Sequence, residues 1–121
     1  LRDAARFGQT LLQQGVWQGE QVIPVAAVQS ISGGGDQAKF AGAGYTTLPG
    51  GSYRSQWWAL HNENGAYSAR GIHGQAIYID PAAEMVIARF ATFPISFNAA
   101  IDPTSLPAYQ AVADYLIKKS K

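Results

Sequence analysis

The two histidines, His61 and His73, are the first candidates for catalysis or metal binding in this sequence. A metal centre needs three or four convergent ligands, and neither histidine stands in an H-E-x-x-H or comparable pairing with carboxylates. They read as a strand-end and a loop histidine tied to backbone. The absence of cysteine removes disulfides, thiol catalysis and thiolate metal sites together. The acids Asp36, Glu63, Asp80, Glu84 and Asp102 fall at expected turns, where carboxylates are solvated, and no paired general acid and base emerges. Gly33-Gly34-Gly35 lacks the preceding strand and the following Lys-Ser/Thr of a phosphate cradle, so it reads as a helix stop. No cofactor or metal is implied.

Two other segments carry more. Trp57 and Trp58 are adjacent, so on a strand they face opposite sides. One can serve the core while the other faces a cleft or solvent. Ser68-Ala69-Arg70-Gly71-Ile72-His73-Gly74-Gln75 leads one strand into another through two glycines spaced three apart. Glycine within a strand marks either a plain bulge or a place where a ligand or second backbone approaches closely. The spacing leaves both readings open.

The elements that must position these residues follow from periodicity. Leu1, Ala4, Ala5, Gly8, Leu11 and Leu12 form one apolar stripe, which predicts a helix over 2–14 stopped by a left-handed Gly15. A hairpin about Gly19 follows, then a helix over 24–32 opened by Pro24. Residues 36–52 hold no period, and a loop of that length is usually functional or mobile. Beyond it, 53–60, 66–71, 75–80 and 85–91 read as strands, the last as a run covered on both faces. Ser105 caps a final helix to about Lys118. The order predicts an α+β fold, an antiparallel meander flanked by helices, within a single domain of residues 1–121.

Composition narrows the function classes. Charged residues are 14% of the chain, against roughly 25% in soluble domains, which hints that part of the surface is covered by something else. A net charge of +1 with scattered basic residues offers no concentrated field for a phosphate backbone, so nucleic acid is not an expected partner. The longest apolar stretch, Val22 to Val28, is too short to span a bilayer and is broken by Pro24. The chain opens on Leu1 in mid-pattern, and the expectation is a fragment of something longer.

Ala4-Ala5-Arg6-Phe7-Gly8 with Leu11-Leu12, then Gly15-Val16-Trp17-Gln18-Gly19, resembles the helix and hairpin late in the penicillin-recognising serine hydrolases. Tyr53-Arg54-Ser55-Gln56-Trp57-Trp58, Gly71-Ile72-His73-Gly74-Gln75 and Ile79-Asp80-Pro81 sharpen this. They resemble the 6-aminohexanoate-dimer hydrolase branch, related to class C β-lactamases and esterases. The resemblance implies the C-terminal part of a β-lactamase-like α/β domain. It also implies an acyl-enzyme formed on the serine of an S-x-x-K motif, with a tyrosine motif assisting. Neither motif occurs in these 121 residues, so both are expected in the remainder of a parent chain.

By the same resemblance, Ala69-Arg70-Gly71 occupies the K-T-G position, and the missing lysine favours an amide or ester substrate over a β-lactam. The Ile72 N–H would then be one oxyanion donor, with Gly71 giving the carbonyl room. Trp58, Arg70 and His73 would contact substrate. Two rivals remain, a small glycan- or peptide-binding module and a segment of an inactive relative. An isolated piece would tend to self-associate, and a periplasmic or secreted location is a family tendency only.

Overall fold

Helix α1 (Arg2–Leu12) forms because its apolar residues recur at helical spacing and give one side a face to bury. The computed structural model describes residues 1–121. Gly8 marks the closest approach of this helix to the sheet, since a β-carbon there would lie 2.5 Å from Val86 Cγ1. Strands β1 (Val16–Trp17) and β2 (Glu20–Gln21) make the expected hairpin about Gln18-Gly19, both at positive φ. Helix α2 (Val25–Ser32) follows Pro24.

The supposedly irregular 36–52 segment contains one short helix, α3 (Gln37–Ala41). Its start is local chemistry: Asp36 Oδ1 accepts the Lys39 N–H at 3.0 Å. Five residues are too few for an apolar period to register.

Strands β3 (Ser52–Arg54), β4 (Trp57–Ala59), β5 (Tyr67–Arg70), β6 (Ala76–Asp80) and β7 (Met85–Arg89) pair antiparallel in chain order. The expected single run over 53–60 is a hairpin instead. Ser55 and Gln56 turn the chain with φ of 51° and 68°, a left-handed pair whose twist suits a two-residue loop. Without the Asn-Gly signature, nothing in the sequence announced it. Strand β7 lies at a sheet edge, yet helices cover both its faces, α1 on one and α4 (Asp102–Ser120) on the other. Helix α4 starts three residues before the expected Ser105 cap, and the Ser105 hydroxyl accepts from Arg89 Nη1 at 2.7 Å instead.

Alternation along the strands divides the core in two. Trp57, Ala59, Tyr67 and Ile79 face α1 and α2, packed with Leu11 and Val28. Ala66, Tyr78 and Met85 face α4, packed with Tyr109 and Ala113. The result is the expected α+β arrangement, an antiparallel meander between helices. Complete burial of a side chain such as Ile79 stabilises by about 1.5–3 kcal/mol. Two acids expected in solvent are also buried. Asp80 accepts the Ala83 N–H at 3.0 Å and Asn64 Nδ2 at 2.9 Å, and Asp102 is paired as described below. No helix is long and apolar enough to cross a membrane.

The chain exposes 7285 Å², about 15% more than the roughly 6,300 Å² scaling predicts for a compact monomer of this mass. Phe90, Ile95, Phe97 and Ile72 are among the exposed apolar side chains. Strands β3 and β7 are both sheet edges.

Burial pushes the Tyr67 phenol up to about 12, and burial with the Asp80 charge does the same to Tyr78. Both stay neutral in the folded chain while the unfolded chain ionises near 10.0. Their contribution to stability is complete below the unfolded value and is lost as pH rises through the folded one. The melting temperature should therefore hold level up to about pH 10 and fall between there and pH 12. Tyr67→Phe should remove part of that fall. An unchanged melting temperature through this window would contradict the assignment.

Candidate functional site

Strand β5 ends on Arg70, whose side chain points to the α4 side of the sheet, in register with Ala76 and beyond it Arg89. The Arg70 guanidinium donates to Asp102 Oδ1 at the start of α4, and Thr47 Oγ1 donates to Asp102 Oδ2. The two charged side chains are 10% and 5% exposed. Buried charges persist only when paired and hydrogen-bonded, and this pair is both. One carboxylate thus joins a strand, the 42–51 loop and a helix start. Arg70 Cζ also sits 5.9 Å from the centre of the Trp58 ring, within cation–π range.

The sequence placed Gly71 at the end of a strand over 66–71. The chain instead leaves β5 through an extended Gly71, and Ile72–Gln75 form a tight turn whose central residues, His73 and Gly74, are both left-handed, with the Gln75 N–H donating to the Ile72 carbonyl at 3.4 Å. Gly74 has a φ of +89°, and a β-carbon there would fall 2.2 Å from the Phe93 ring. The space that glycine opens is therefore filled by Phe93. Gly71 has ordinary extended dihedrals, but a β-carbon there would come 2.9 Å from Gln75 Cβ. Neither glycine is a simple bulge; together they bracket a turn.

That turn forms one rim of an open cavity of about 220 Å³, lined by Trp58, Arg70, Gly71, Ile72, Tyr45 and Phe97 among others. Ile72 is 67% exposed, and its N–H donates to no carbonyl or side chain of the protein. Trp58 and Trp57 do part company: Trp57 is in the α1-side core, 5.5 Å from Tyr67 between ring centres. Trp58 lies on the α4 side against Tyr53, with centres 4.7 Å apart. Its indole Nε1 is buried without a partner.

Arg70 and His73 stand differently toward the cavity. Arg70 lines the cavity, but its charge is committed to Asp102 and is not free for a substrate carboxylate. His73 is not among the lining residues. Its φ is +56°, and Nδ1 lies 2.7 Å from the Phe93 carbonyl. A carbonyl only accepts, so Nδ1 carries the proton.

His61 Nε2 is 2.7 Å from Ser52 Oγ, the spacing of a nucleophile and its base. Ser52 has no exposed surface, and its Oγ also accepts the Gly35 N–H at 2.9 Å. The pair fastens the glycine run to β3 and cannot meet a substrate. No three His, Asp or Glu side chains converge.

Sequence reasoning missed Tyr45, Thr47, Phe97, Asn98 and Asp102 at the cavity. Tyr45 and Thr47 belong to the long aperiodic segment, whose length was the available signal. Asp102 gave none, because its partner is 32 residues away.

No protein-family model matches the chain. It is 39% identical over 94 residues to the 6-aminohexanoate-dimer hydrolase of Paenarthrobacter ureafaciens, a match covering 77% of this chain and 24% of that protein. It also superposes on a solved structure from Bacillus anthracis assigned as a 6-aminohexanoate-dimer hydrolase. There the TM-score is 0.78 at 35% identity, over 97% of this chain and 29% of the other. The chain spans 24% and 29% of the lengths of these two relatives.

The Arg70–Asp102 pair predicts a large asymmetry in stability. Asp102→Ala leaves a buried guanidinium unpaired and should cost about 3–5 kcal/mol in urea unfolding. Asp3→Ala, which breaks the exposed pair with Arg6, should cost less than about 1 kcal/mol. Equal costs would show that the buried pair does not anchor the cavity.

Proposed function

Because the chain is homologous to a C-terminal segment of the serine hydrolase family that includes 6-aminohexanoate-dimer hydrolase, we propose that it completes the active site of an amide or ester hydrolase. It supplies the strand that edges the site and one amide of an oxyanion hole. The nucleophilic serine and its lysine and tyrosine partners would come from the rest of the parent chain, since S-x-x-K and the tyrosine motif lie outside these 121 residues.

The chemistry assigned to this segment is electrostatic. A serine oxygen adds to the substrate carbonyl carbon as its proton passes to the lysine and tyrosine partners, which later hand it to the leaving group. The carbonyl oxygen gains a full negative charge. The Ile72 N–H donates to that oxygen as the charge develops, and the nucleophile's own N–H is the second donor. The leaving amine or alcohol departs with a proton as the carbonyl re-forms, leaving the acyl-enzyme that water later cleaves. A donor fixed in place before the charge appears needs no reorganisation at the moment of reaction, which is why it lowers the barrier.

One observation carries the reading: an amide with no acceptor of its own stands on the rim of a cavity flanked by Trp58. A backbone donor left unpaired in a fold otherwise costs stability or faces water. Its side chain touches little, so the position asks for the amide and not for isoleucine. The dimer in the relative's name joins two amino-acid units through an amide. Its methylene stretches suit the Trp58 ring, and its terminal carboxylate would need a cation other than Arg70, which is committed to Asp102.

Local geometry permits a clean test. Gly71 is extended, as a residue before proline must be, and the Ile72 N–H makes no hydrogen bond within the protein that proline would remove. In the full-length enzyme, Ile72→Pro removes the N–H, together with a side chain that is mostly exposed, and should lower kcat by roughly 10²–10³-fold. Ile72→Val keeps the donor and should stay close to the parent. A folded Ile72→Pro enzyme with parental kcat would end the oxyanion assignment.

A further inference from the structure

We propose that Asn98 is the positioning residue that aims the Ile72 N–H into the cavity. The inference rests on the oxyanion reading and adds the group that enforces it. Asn98 Nδ2 donates to the Gly71 carbonyl oxygen at 3.1 Å. That carbonyl and the Ile72 N–H belong to the same trans peptide plane and point in opposite directions. Holding the oxygen toward Asn98 holds the N–H away from it.

The neighbouring bonds isolate this plane as the loose one. On one side the Gly71 N–H donates to the Gln75 carbonyl at 2.9 Å. On the other, the His73 N–H donates to the Ser96 carbonyl at 3.2 Å. The Gly71–Ile72 plane has no backbone bond at either end, and Asn98 is its single tie to the protein. Because residue 71 is glycine, dihedrals that would flip the plane are accessible. A flipped plane would present a carbonyl oxygen to the cavity and repel an oxyanion. Donation to the carbonyl also polarises the amide and strengthens the N–H as a donor.

Asn98 is itself well placed for the task. It opens a short 3₁₀ turn, Asn98–Ala100, and its own carbonyl accepts the Ile101 N–H at 2.9 Å. Asp102 follows directly and is anchored by Arg70. The helix start therefore carries both the residue that fixes the β5 end and the residue that orients the peptide after it.

Heteronuclear NMR of the 121-residue chain tests the positioning, and kinetics of the full-length enzyme test its use. In Asn98→Ala, the Gly71 carbonyl carbon and Ile72 amide nitrogen should shift while the core resonances of Tyr67 and Ile79 stay in place. In Asn98→Asp the carboxylate has no proton to give at neutral pH, and the same two signals should return toward the parent values on acidification. In the enzyme, Asn98→Ala should lower kcat about tenfold, the value of one hydrogen bond, with KM little changed. Unmoved Gly71 and Ile72 signals in both folded variants would overturn the inference. Moved signals with parental kcat would uphold the positioning and remove the oxyanion role instead.

Discussion

The ion pair between Arg70 and Asp102 is the constraint on which the cavity depends. Two charges have been taken almost wholly out of water, and each must have its hydrogen-bonding capacity met or the fold would not tolerate it. Asp102 meets this with the guanidinium and the Thr47 hydroxyl, and Arg70 with the carboxylate and the Trp58 ring face. Satisfying them brings β5, the 42–51 loop and the first turn of α4 to one place. The cavity is the space left where those three meet.

Sheet register explains why this happens at one end of the strands. On the α4 face, Trp58, Ser68, Tyr78 and Ile87 form one row across four strands, and Arg70, Ala76 and Arg89 form the next. The first row is largely apolar and packs under the helix. The second carries two cations and lies against the helix start, where Arg70 finds Asp102 and Arg89 finds Ser105 and the Gly74 carbonyl. Arg89 lies 5.5 Å from the ring centres of both Tyr109 and Phe93, which shields a cation that has no carboxylate. Burial raises the Tyr109 phenol pKa, and Asp102 adds to the rise while Arg89 and Arg70 oppose it. Core and site thus share one face, separated by a single step along the strand.

What the sequence made legible follows from short-range periodicity. The α1 stripe, the hairpin at Gly19 and the strands from 67 onward all repeat at two or 3.6 residues, and each formed near its expected place. Trp57 and Trp58 had to part because adjacent strand residues do. What stayed hidden depends on non-local or unsigned geometry. The Ser55-Gln56 turn uses left-handed residues of no turn-forming reputation. Asp102 looked like a solvated acid because nothing near it in sequence is its partner. The His73 ring meets the Phe93 carbonyl 20 residues away, and His73 takes a positive φ that no residue pattern around it specifies.

The cavity draws its parts from segments of unequal rigidity. The Ile72 amide hangs from a sheet strand and is tied at its neighbours, whereas Tyr45 and Phe97 come from connecting segments on either side. Those wall residues take no part in the strand ladder or in either core cluster. Substitutions at Tyr45 can reshape what fits without moving the Ile72 peptide or shifting strand register, whereas Phe97 sits between Ser96 and Asn98, which hold the peptides on either side of Ile72. Variation and constraint are thereby assigned to different stretches of chain. A lineage built on this plan can vary the 42–51 wall of the cavity by drift while the sheet and the Asn98 tie keep the opposite rim in place.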